Sequence, residues 1–425
     1  MAAFFTNSQF DRRSFGKYLL AGAVGLGAGK AFASARPDFH ILRDFQSSMK
    51  DQQMRGTCYV YSIVAALEAA YKRAGYGDLD LSEEFANDML RTFWLEPRST
   101  VKLPAYRNEN RYNMGDHGWS DGVAHFMVES GFAIPTEKDL PYQARSPFLP
   151  TDSAFGLQYR VNSFNLDPKR FDMAALSKKT YYGIRACRDV RPNNPKAIED
   201  ALLQGKEVIW DFGVGGNRQE WLWEYDGSQA KGGHSMLIYG FDKSDAERPY
   251  FFVKNSWENQ QKICISYEYP RRYGHGATII TEVATPRSWN ELAYLGRWSL
   301  EIDGRQGILD LYHLPGMSKS VFDIHDLKDS ATGKIMEDRR LGTFYLDGEP
   351  RKAYRVNGSV GRDGLKLNID WAGPAQSYSS TDGREFTVRF HGNNLERMTG
   401  DLPRGDEKDG TLAAKRLHGA EHYEV

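Results

Sequence analysis

The chain has few cysteines and almost no net charge. Only three cysteines occur among its 425 residues, which excludes a fold held by a dense framework of disulfide bonds. Cys187 and Cys264 would pair only if folding brought them together, and the alternative is that each is a small buried residue. The formal net charge of −1 excludes the broad basic field of a nucleic-acid-binding protein. After the N-terminal region, no apolar run is long enough to suggest a membrane span.

Cys58 is the most informative residue in the chain, because it lies at the start of a predicted helix. The helix is indicated by apolar residues three or four positions apart, namely Val60, Ile63, Val64, Leu67 and Tyr71. The pattern ends near Gly75 and places Cys58 in the first helical turn. A helix N-terminus offers unpaired N–H groups and a partial positive charge, which lower a cysteine pKa. The position therefore predicts a thiol nucleophile.

A nucleophilic cysteine needs a base and a group that orients the base. His234 follows two glycines and precedes a strand-like apolar run. A second predicted strand, residues 250–254, leads directly into Asn255-Ser256-Trp257. Taken singly, a helical cysteine or a lone histidine is usually structural. Together, in this order, they predict a nucleophile, its base and an orienting amide.

The order of Gln52, Cys58, His234 and Asn255 resembles that of the papain-like cysteine peptidases. The shorter matches to that family are Asn255-Ser256-Trp257, Leu81-Ser82-Glu83-Glu84 and Leu140-Pro141-Tyr142. The resemblance covers roughly residues 38–285. It implies a helical lobe that holds Cys58 and a β-rich lobe that supplies His234 and Asn255, with the active site in the cleft between them.

The resemblance also assigns roles to the site residues. Cys58 would be the nucleophile, His234 its ion-pair partner, and Asn255 the acceptor that fixes the imidazole. Gln52 and the backbone N–H of Cys58 would form the oxyanion hole, where each donor is worth roughly 3–4 kcal/mol. Trp257 would shield the hydrogen bond between His234 and Asn255 from water.

Several positions depart from the family pattern. Arg55 stands where most members have a disulfide cysteine, and Tyr59 replaces the usual tryptophan after the nucleophile. The common Gly-x-x-Trp-Gly after Asn-Ser-Trp is replaced by residues 258–261, Glu-Asn-Gln-Gln. That change removes an aromatic wall on the leaving-group side of the predicted cleft.

The predicted substrate-binding residues are also partly altered. Gly115-Asp116-His117-Gly118-Trp119 occupies the region where the family has a Gly-Gly pair. Asp116 and His117 would favour a polar or basic substrate side chain, and the alternative is a solvated loop. Gly115, Trp119, Gly233 and Trp257 complete the expected substrate-binding set.

The first residues predict an export signal. Asp11-Arg12-Arg13-Ser14-Phe15-Gly16-Lys17 resembles a twin-arginine motif, and a mildly apolar run follows at residues 18–29. The run is shorter than the about 20 residues that span a bilayer. Two small-x-small sites predict cleavage after Ala33 or Ala35. We expect residues 1–35 to be a twin-arginine-type signal peptide and the mature protein to be periplasmic or extracellular; the alternative is a mobile cytosolic N-terminus.

Period-two alternation of apolar and polar residues predicts β-strands in the C-terminal part of the chain. The clearest alternations run through residues 298–302, 365–370 and 386–390. Turn-forming pairs separate the strand-like runs: Asp303-Gly304, Asp347-Gly348, Asn357-Gly358, Asp363-Gly364 and Asp382-Gly383. The pattern predicts a hairpin meander that buries one face, as in a small antiparallel barrel or sandwich.

The expected organisation is therefore α+β with an appended all-β domain. Residues 36–288 would form the papain-like two-lobe fold, residues 289–403 the antiparallel β-barrel or sandwich, and residues 404–425 a charged, partly disordered tail. The β domain would recruit substrate or bind a surface or protein partner. The alternative is that it packs on the β-rich lobe and stabilises it.

The expected function is that of an exported cysteine peptidase acting through a thioester acyl-enzyme. Its substrate would be a protein or peptide that enters the cleft as an extended chain. No cofactor, metal or nucleic acid is expected, nor a membrane span in the mature form. Two alternatives stay open: an amidase or transpeptidase that resolves the thioester with an amine, and a binding protein with an altered cleft.

Overall fold

The computed structural model describes most of the chain between residues 36 and 417. The described ranges are 36–53, 55–87, 120–143, 172–219, 221–260, 262–302, 304–311, 340–347, 353–361, 364–369, 384–391, 394–401 and 411–417. The predicted signal peptide, residues 1–35, lies outside them. Within these ranges, no helix combines the length and apolar character that crossing a bilayer requires.

Helices with defined bounds occur only before residue 295 in the described part of the chain. They are α1 (Cys58–Arg73), α2 (Ser120–Ser130), α3 (Met173–Leu176), α4 (Pro195–Leu203) and α5 (Glu268–Tyr273), with the 3-10 helices η1 (Arg43–Phe45), η2 (Glu258–Gln260) and η3 (Asn290–Tyr294). The predicted start of α1 at Cys58 is confirmed. Helix α4 begins at Pro195, where the Asn194 side chain caps it by accepting hydrogen bonds from the N–H groups of Lys196 and Ala197.

Eleven strands within the described residues form the first sheet. They are β1 (Phe39–Ile41), β2 (Ala133–Ile134), β3 (Thr180–Asp189), β4 (Val208–Gly213), β5 (Asn217–Arg218), β6 (Leu222–Glu224), β7 (Gly233–Asp242), β8 (Tyr250–Lys254), β9 (Lys262–Ser266), β10 (Gly274–Val283) and β11 (Arg287–Ser288). The order is β11-β3-β10-β4-β7-β8-β9-β6-β5, with β1 against β7 and β2 against β3. Neighbours are antiparallel except β6 and β9, which are parallel.

Two apolar clusters cover the two faces of this sheet. Ile209 belongs to the first cluster, together with the buried side of α1, whereas Trp210 belongs to the second. Successive side chains of a strand point to opposite faces, so this alternation assigns the clusters to opposite sides. Helices α1 and α2 pack on the first face, and α4 and α5 pack on the second.

Antiparallel pairing places the first half of β7 beside the end of β8. His234 is the second residue of β7 and pairs with Phe212 of β4, while Ser235 pairs with Asp211. Asn255 follows the last residue of β8, which pairs with β7. The imidazole and the amide therefore come from adjacent strands.

The C-terminal part is all-β and antiparallel, as predicted. Its strands are β12 (Gly296–Ile302), β13 (Arg305–Leu311), β14 (Arg340–Leu346), β15 (Ala353–Gly361), β16 (Gly364–Ile369), β17 (Arg384–His391), β18 (Asn394–Asp401) and β19 (Thr411–Arg416). Each strand pairs with the next, and β19 pairs back with β12, so the strand order closes on itself. Alternate residues such as Trp298, Leu300 and Ile302 fill a third apolar cluster.

One turn predicted in this region is wrong. Asn357-Gly358 is not a turn, because both residues lie within β15 and pair with Asn368 and Leu367 of β16. Pairing with the neighbouring strand outweighs the local residue preference there. The tail predicted to be charged and partly disordered, residues 404–425, includes strand β19, which buries Leu412 and Ala414.

The boundary between the two parts lies later than residue 288. Trp289, Leu292 and Leu295 belong to the first apolar cluster, and the first barrel strand begins at Gly296. Arg416 of β19 donates hydrogen bonds to the carbonyl of Leu295 at 2.9 Å and to the carbonyl of Ala293. The last described strand therefore holds the segment that leads into the barrel.

Candidate active site

The loop before Cys58 has a defined turn that sets the start of α1. Gln53 adopts a left-handed backbone with φ of 53°, and its N–H bonds to the side chain of Asp51 at 2.8 Å. Thr57 is fully buried and occupies the N-cap position. The N–H of Val60 then bonds to the carbonyl of Thr57 at 2.9 Å, which starts the helix with Cys58 in its first turn.

Buried polar contacts clamp this loop from the side. The Tyr142 hydroxyl donates to the carbonyl of Gln52 at 2.8 Å. Arg55 is buried, and its guanidinium bonds to the Glu84 carboxylate at 2.5 Å and to the Gln143 carbonyl at 2.8 Å. An ion pair thus stands where the sequence departs from the expected disulfide. Breaking a buried pair of this kind costs about 3–5 kcal/mol, so we expect it to be important for loop structure.

His234, Asn255 and Trp257 form a compact group. The Nε2 atom of His234 lies 2.7 Å from Oδ1 of Asn255, and that oxygen also accepts the N–H of Ser256 at 2.8 Å. The Trp257 indole stacks on the imidazole with ring centroids 4.1 Å apart and an angle of 23°. An amide oxygen only accepts, so Nε2 carries the hydrogen and Nδ1 is left to take up a proton.

Burial strongly affects the ionisation of Cys58 and His234. Loss of hydration raises the pKa of Cys58 to about 11, although a hydrogen bond from the backbone of Ser235 opposes the rise. Burial lowers the pKa of His234 to about 4, and its bond to Asn255 opposes that fall. Desolvation therefore outweighs the helix N-terminus in this conformation. In this conformation burial shifts both pKa values toward the neutral thiol and the neutral imidazole, opposite to the shift expected at a helix N-terminus.

Gln52 connects the loop before Cys58 to the segment after β8. Its side-chain oxygen accepts a hydrogen bond from the hydroxyl of Ser256, and its backbone N–H bonds to the Ser256 carbonyl at 2.9 Å. Its side-chain nitrogen donates to the carbonyl of Arg55 at 2.6 Å. These contacts fix the amide, whose nitrogen carries a second hydrogen.

A buried carboxylate, that of Asp211, lies close enough to Cys58 to affect its pKa. Asp211 accepts hydrogen bonds from the hydroxyl of Ser120 at 2.6 Å, from the N–H of Ser120 at 3.1 Å and from the hydroxyl of Ser235. The negative charge of Asp211 contributes to the raised pKa of Cys58. Sequence reasoning missed this group, although a charged residue inside the apolar strand β4 was a usable signal.

A second set of buried charges lines the same cavity as Asn255. Lys50 contacts the carboxylates of Glu68 and Glu83 at 2.9 Å each, and Lys254 donates to Ser47 Oγ at 2.8 Å. Burial lowers the pKa of Lys254 to about 8. A cavity of about 20 Å³, comparable to one water molecule, is bordered by these charged groups and by residues of the site. Its lining includes Lys50, Glu68, Glu83, Ser235, Lys254 and Asn255.

The predicted site residues thus divide into two groups. Gln52, Cys58, His234, Asn255 and Trp257 are described, and strand pairing and hydrogen bonds gather them around the start of α1. Gly233 is also described and is exposed at the start of β7. The other expected substrate-binding residues, Gly115, Asp116, His117 and Trp119, lie outside the described residues.

Sequence comparison agrees with the chemistry of this group. Residues 100–263 match the family model described as papain family cysteine protease. The matched range contains His234 and Asn255, whereas Gln52 and Cys58 precede it. The thiol protease aleurain of Arabidopsis thaliana is 25% identical over 257 residues, which cover 59% of this chain and 61% of that protein. The chain therefore spans about three fifths of the length of this curated relative.

Two solved structures are similar to part of this chain. Procathepsin L 3 from the larval midgut of Tenebrio molitor is 18% identical with a TM-score of 0.38, and the match covers 58% of this chain and 70% of that one. The bromelain protease from Ananas comosus is 15% identical with a TM-score of 0.38, and the match covers 58% of this chain and all of that one. On the family match, residues 100–263 of this chain are similar to the papain family cysteine proteases.

Proposed function

We propose that the protein is a cysteine peptidase in which Cys58 attacks the carbonyl carbon of a peptide bond. The observation that carries the proposal is the hydrogen bond between His234 Nε2 and Asn255 Oδ1, with Trp257 stacked on the ring. This bond selects Nδ1 as the basic nitrogen, which is the orientation a nucleophile, base and orienting group require. Cys58 contacts the backbone of Ser235, the residue that follows His234.

The reaction would begin from the neutral pair. His234 Nδ1 takes the thiol proton as the Cys58 sulfur bonds to the carbonyl carbon, so charge separates only during attack. The second amide hydrogen of Gln52 and the N–H of Cys58 stabilise the oxyanion. His234 then gives its proton to the leaving amine. Water, activated by the same nitrogen, hydrolyses the thioester and restores the thiol.

Loss of the nucleophile tests this function. In Cys58→Ala, cleavage of a fluorogenic peptide library should fall at least about a thousandfold. Cys264→Ala is the matched control, because it removes a thiol from β9, away from the helix start, and we expect it to keep cleavage within about twofold. Undiminished cleavage by Cys58→Ala would disprove the peptidase proposal, and cleavage that yields only amine adducts would favour a transpeptidase.

We propose further that the catalytic domain has two lobes. The proposal is supported by the two apolar clusters, of which the first contains α1 and the second contains the packing around His234 and Trp257. Substrate would bind where they meet, beside Gly233 and Trp257. A peptide aldehyde that captures Cys58 should therefore protect both residues from solvent in hydrogen exchange or oxidative footprinting, and protection of neither contradicts the arrangement.

We propose that the protein is exported. Support comes from Arg12-Arg13 followed by an apolar run and by small residues at Ala33 and Ala35. Replacing both arginines with lysine should retain precursor in the cytoplasm, since the export receptor reads the guanidinium pair. A mature protein that still begins with Met1 would contradict this proposal.

We propose that the C-terminal barrel binds a surface or protein partner. The support is its own apolar core, separate from both peptidase clusters. A chain that ends after Leu295 retains Trp289 and Leu292, which a cut at residue 285 would remove from the first cluster. This shorter chain should keep its rate on short peptides and lose rate on intact protein substrates. Equal losses on both would show that the barrel only stabilises the peptidase part.

A further inference from the structure

A second group of thiol, imidazole and carboxylate lies outside the candidate active site. The sulfur of Cys187 lies 3.5 Å from Nδ1 of His125, and Nε2 of the same ring lies 2.7 Å from Oδ1 of Asp189. Cys187 and Asp189 are two residues apart on β3, so both point to the same face of the sheet. Helix α2, which carries His125, packs on that face.

The contacts of this group define where its protons lie. An ionised carboxylate only accepts hydrogen bonds, so the bond to Asp189 places the ring hydrogen on Nε2 of His125. Nδ1 then presents a lone pair to the thiol of Cys187. Thr278 donates to the same oxygen of Asp189 at 3.1 Å and helps to hold the carboxylate. The thiol, the basic nitrogen and the carboxylate are therefore arranged in the order that activates a thiol nucleophile.

Small molecules can reach the group from solvent. The His125 side chain is 40% exposed and the Asp189 side chain is 69% exposed, while Cys187 is partly exposed. No set of three histidine, cysteine or acidic side chains within the described ranges has an arrangement that suits a metal ion. A reaction at sulfur fits the group better than metal binding does.

The other cysteine of the sheet cannot be the reaction partner of Cys187. Strands β3 and β9 are five steps apart in the strand order, which is about 24 Å at the usual strand spacing. A disulfide needs Cα atoms within about 7 Å. The pairing of Cys187 with Cys264 that the sequence left open is therefore excluded, and an exogenous disulfide is the fitting partner.

We propose that Cys187 is a site of reversible thiolation by small disulfides that carry amino groups, with His125 as the base. The Cys187 sulfur attacks one sulfur of the disulfide while its proton moves to His125 Nδ1. A new S–S bond forms as the old one breaks. The departing half leaves as a thiolate and takes the proton from His125, so the disulfide is the oxidant and is reduced to one free thiol.

The preference for amino groups follows from the charges around the sulfur. Burial raises the pKa of Cys187 to about 11, and the negative charges of Asp189 and Glu129 add to the rise. A protonated thiol depends on a base at the moment of attack, which is the role of His125. The same two carboxylates attract a cationic reagent and repel an anionic one.

The test compares two disulfides on the full chain carrying Cys58→Ala, which removes the other candidate nucleophile. The reagents are cystamine, a dication, and 3,3′-dithiodipropionate, a dianion, at low ionic strength. Mass spectrometry of peptides measures the rate at Cys187 and, as an internal reference, at Cys264. With cystamine at pH 7.5 we expect Cys187 to react at least about tenfold faster than Cys264. At Cys187, the reaction with cystamine should be at least about threefold faster than the reaction with the dianion.

Variants identify the base and the source of charge preference. His125→Gln should slow the reaction of Cys187 with cystamine at least about tenfold. The rate at Cys264 should not change, which also reports that the fold is intact. Glu129→Gln should lower the preference for cystamine at Cys187 while the reaction still depends on His125. If His125→Gln unfolds in a melting experiment, Asp189→Asn replaces it, with an expected slowing of at least about threefold.

Three results would overturn the proposal. They are a Cys187 rate no greater than that of Cys264, a rate unchanged in the folded His125 or Asp189 variant, and equal or faster reaction with the dianion. The first two reject base-assisted thiolation, and the third rejects the cationic class of reagent.

Discussion

The chain holds two histidines whose rings are both oriented by a hydrogen bond at Nε2, in different surroundings. At His234 the ring is buried and Nε2 bonds to the neutral amide of Asn255, whereas at His125 the ring is exposed and Nε2 bonds to the carboxylate of Asp189, both at 2.7 Å. A carboxylate in the buried position would add a charge that must itself be desolvated. At the surface, water reduces that cost. In this chain the buried imidazole bonds to a neutral amide and the exposed imidazole to a carboxylate, so the buried pair adds no second charge that must be desolvated.

The largest contrast should appear in peptide cleavage. His234→Ala removes the base of the buried group, so we expect kcat/KM to fall at least about a thousandfold, or about 4 kcal/mol. His125→Ala is the matched control and should stay within about twofold. Comparable losses in both variants would mean that the two groups do not have separate roles.

The next effect concerns stability in acid. Because the folded-state pKa of His234 is lowered from 6.5 to about 4, the unfolded chain binds more protons between those values. Above pH 6.5 His234 does not reduce the free energy of unfolding. As the pH drops toward 4, the free energy of unfolding falls, by about 3 kcal/mol at pH 4. Urea unfolding at pH 7 and pH 4 should therefore show a smaller acid loss in His234→Gln than in the natural chain. An identical acid loss would show that His234 is not buried as described.

A smaller effect is expected from the orienting amide. Asn255→Ala leaves the imidazole in place and removes only the acceptor for Nε2, so cleavage should fall about ten- to a hundredfold, mainly in kcat. Trp257→Phe keeps an aromatic ring on the imidazole and should lose less cleavage activity than Asn255→Ala does. If Asn255→Ala cleaves as well as the natural chain, packing by Trp257 alone orients the ring.

The smallest effect separates the groups by their response to salt. Raising NaCl from about 0.02 to 0.5 M screens exposed charges but acts little on buried ones. The rate of Cys187 with cystamine should fall about two- to fivefold, while peptide cleavage with an uncharged substrate stays nearly constant. If salt slowed peptide cleavage but not the reaction of Cys187, the assignment of His234 to the buried group and of His125 to the exposed group would be wrong.

Local patterns were sufficient to predict the elements that carry the candidate site. The apolar spacing after Cys58 predicted the start of α1, and the apolar run before Asn255 predicted β8. These signals depend on residues close together in the chain, where helical and strand periodicity act. The order of Gln52, Cys58, His234 and Asn255 added the family resemblance, which supplied roles that local patterns do not contain.

The contacts that sequence reasoning missed join residues far apart in the chain. Arg55 and Glu84 are separated by 29 positions, Cys187 and His125 by 62, and Asp211 and Ser120 by 91. No local pattern encodes such pairs, because strand order and helix packing decide them. The raised pKa of Cys58 was missed for the same reason, since the helix start is visible in the sequence and the desolvation around it is not.

The contact of Arg416 with the carbonyls of Ala293 and Leu295 has a consequence for synthesis on the ribosome. Arg416 is translated 123 residues after Ala293, so η3 leaves the exit tunnel long before its guanidinium partner exists. Until then, β12 can pair with β13 but not with β19, and one edge of β12 stays open. We expect ribosome-bound chains that stop before residue 411 to expose this edge to chaperones and to other nascent chains.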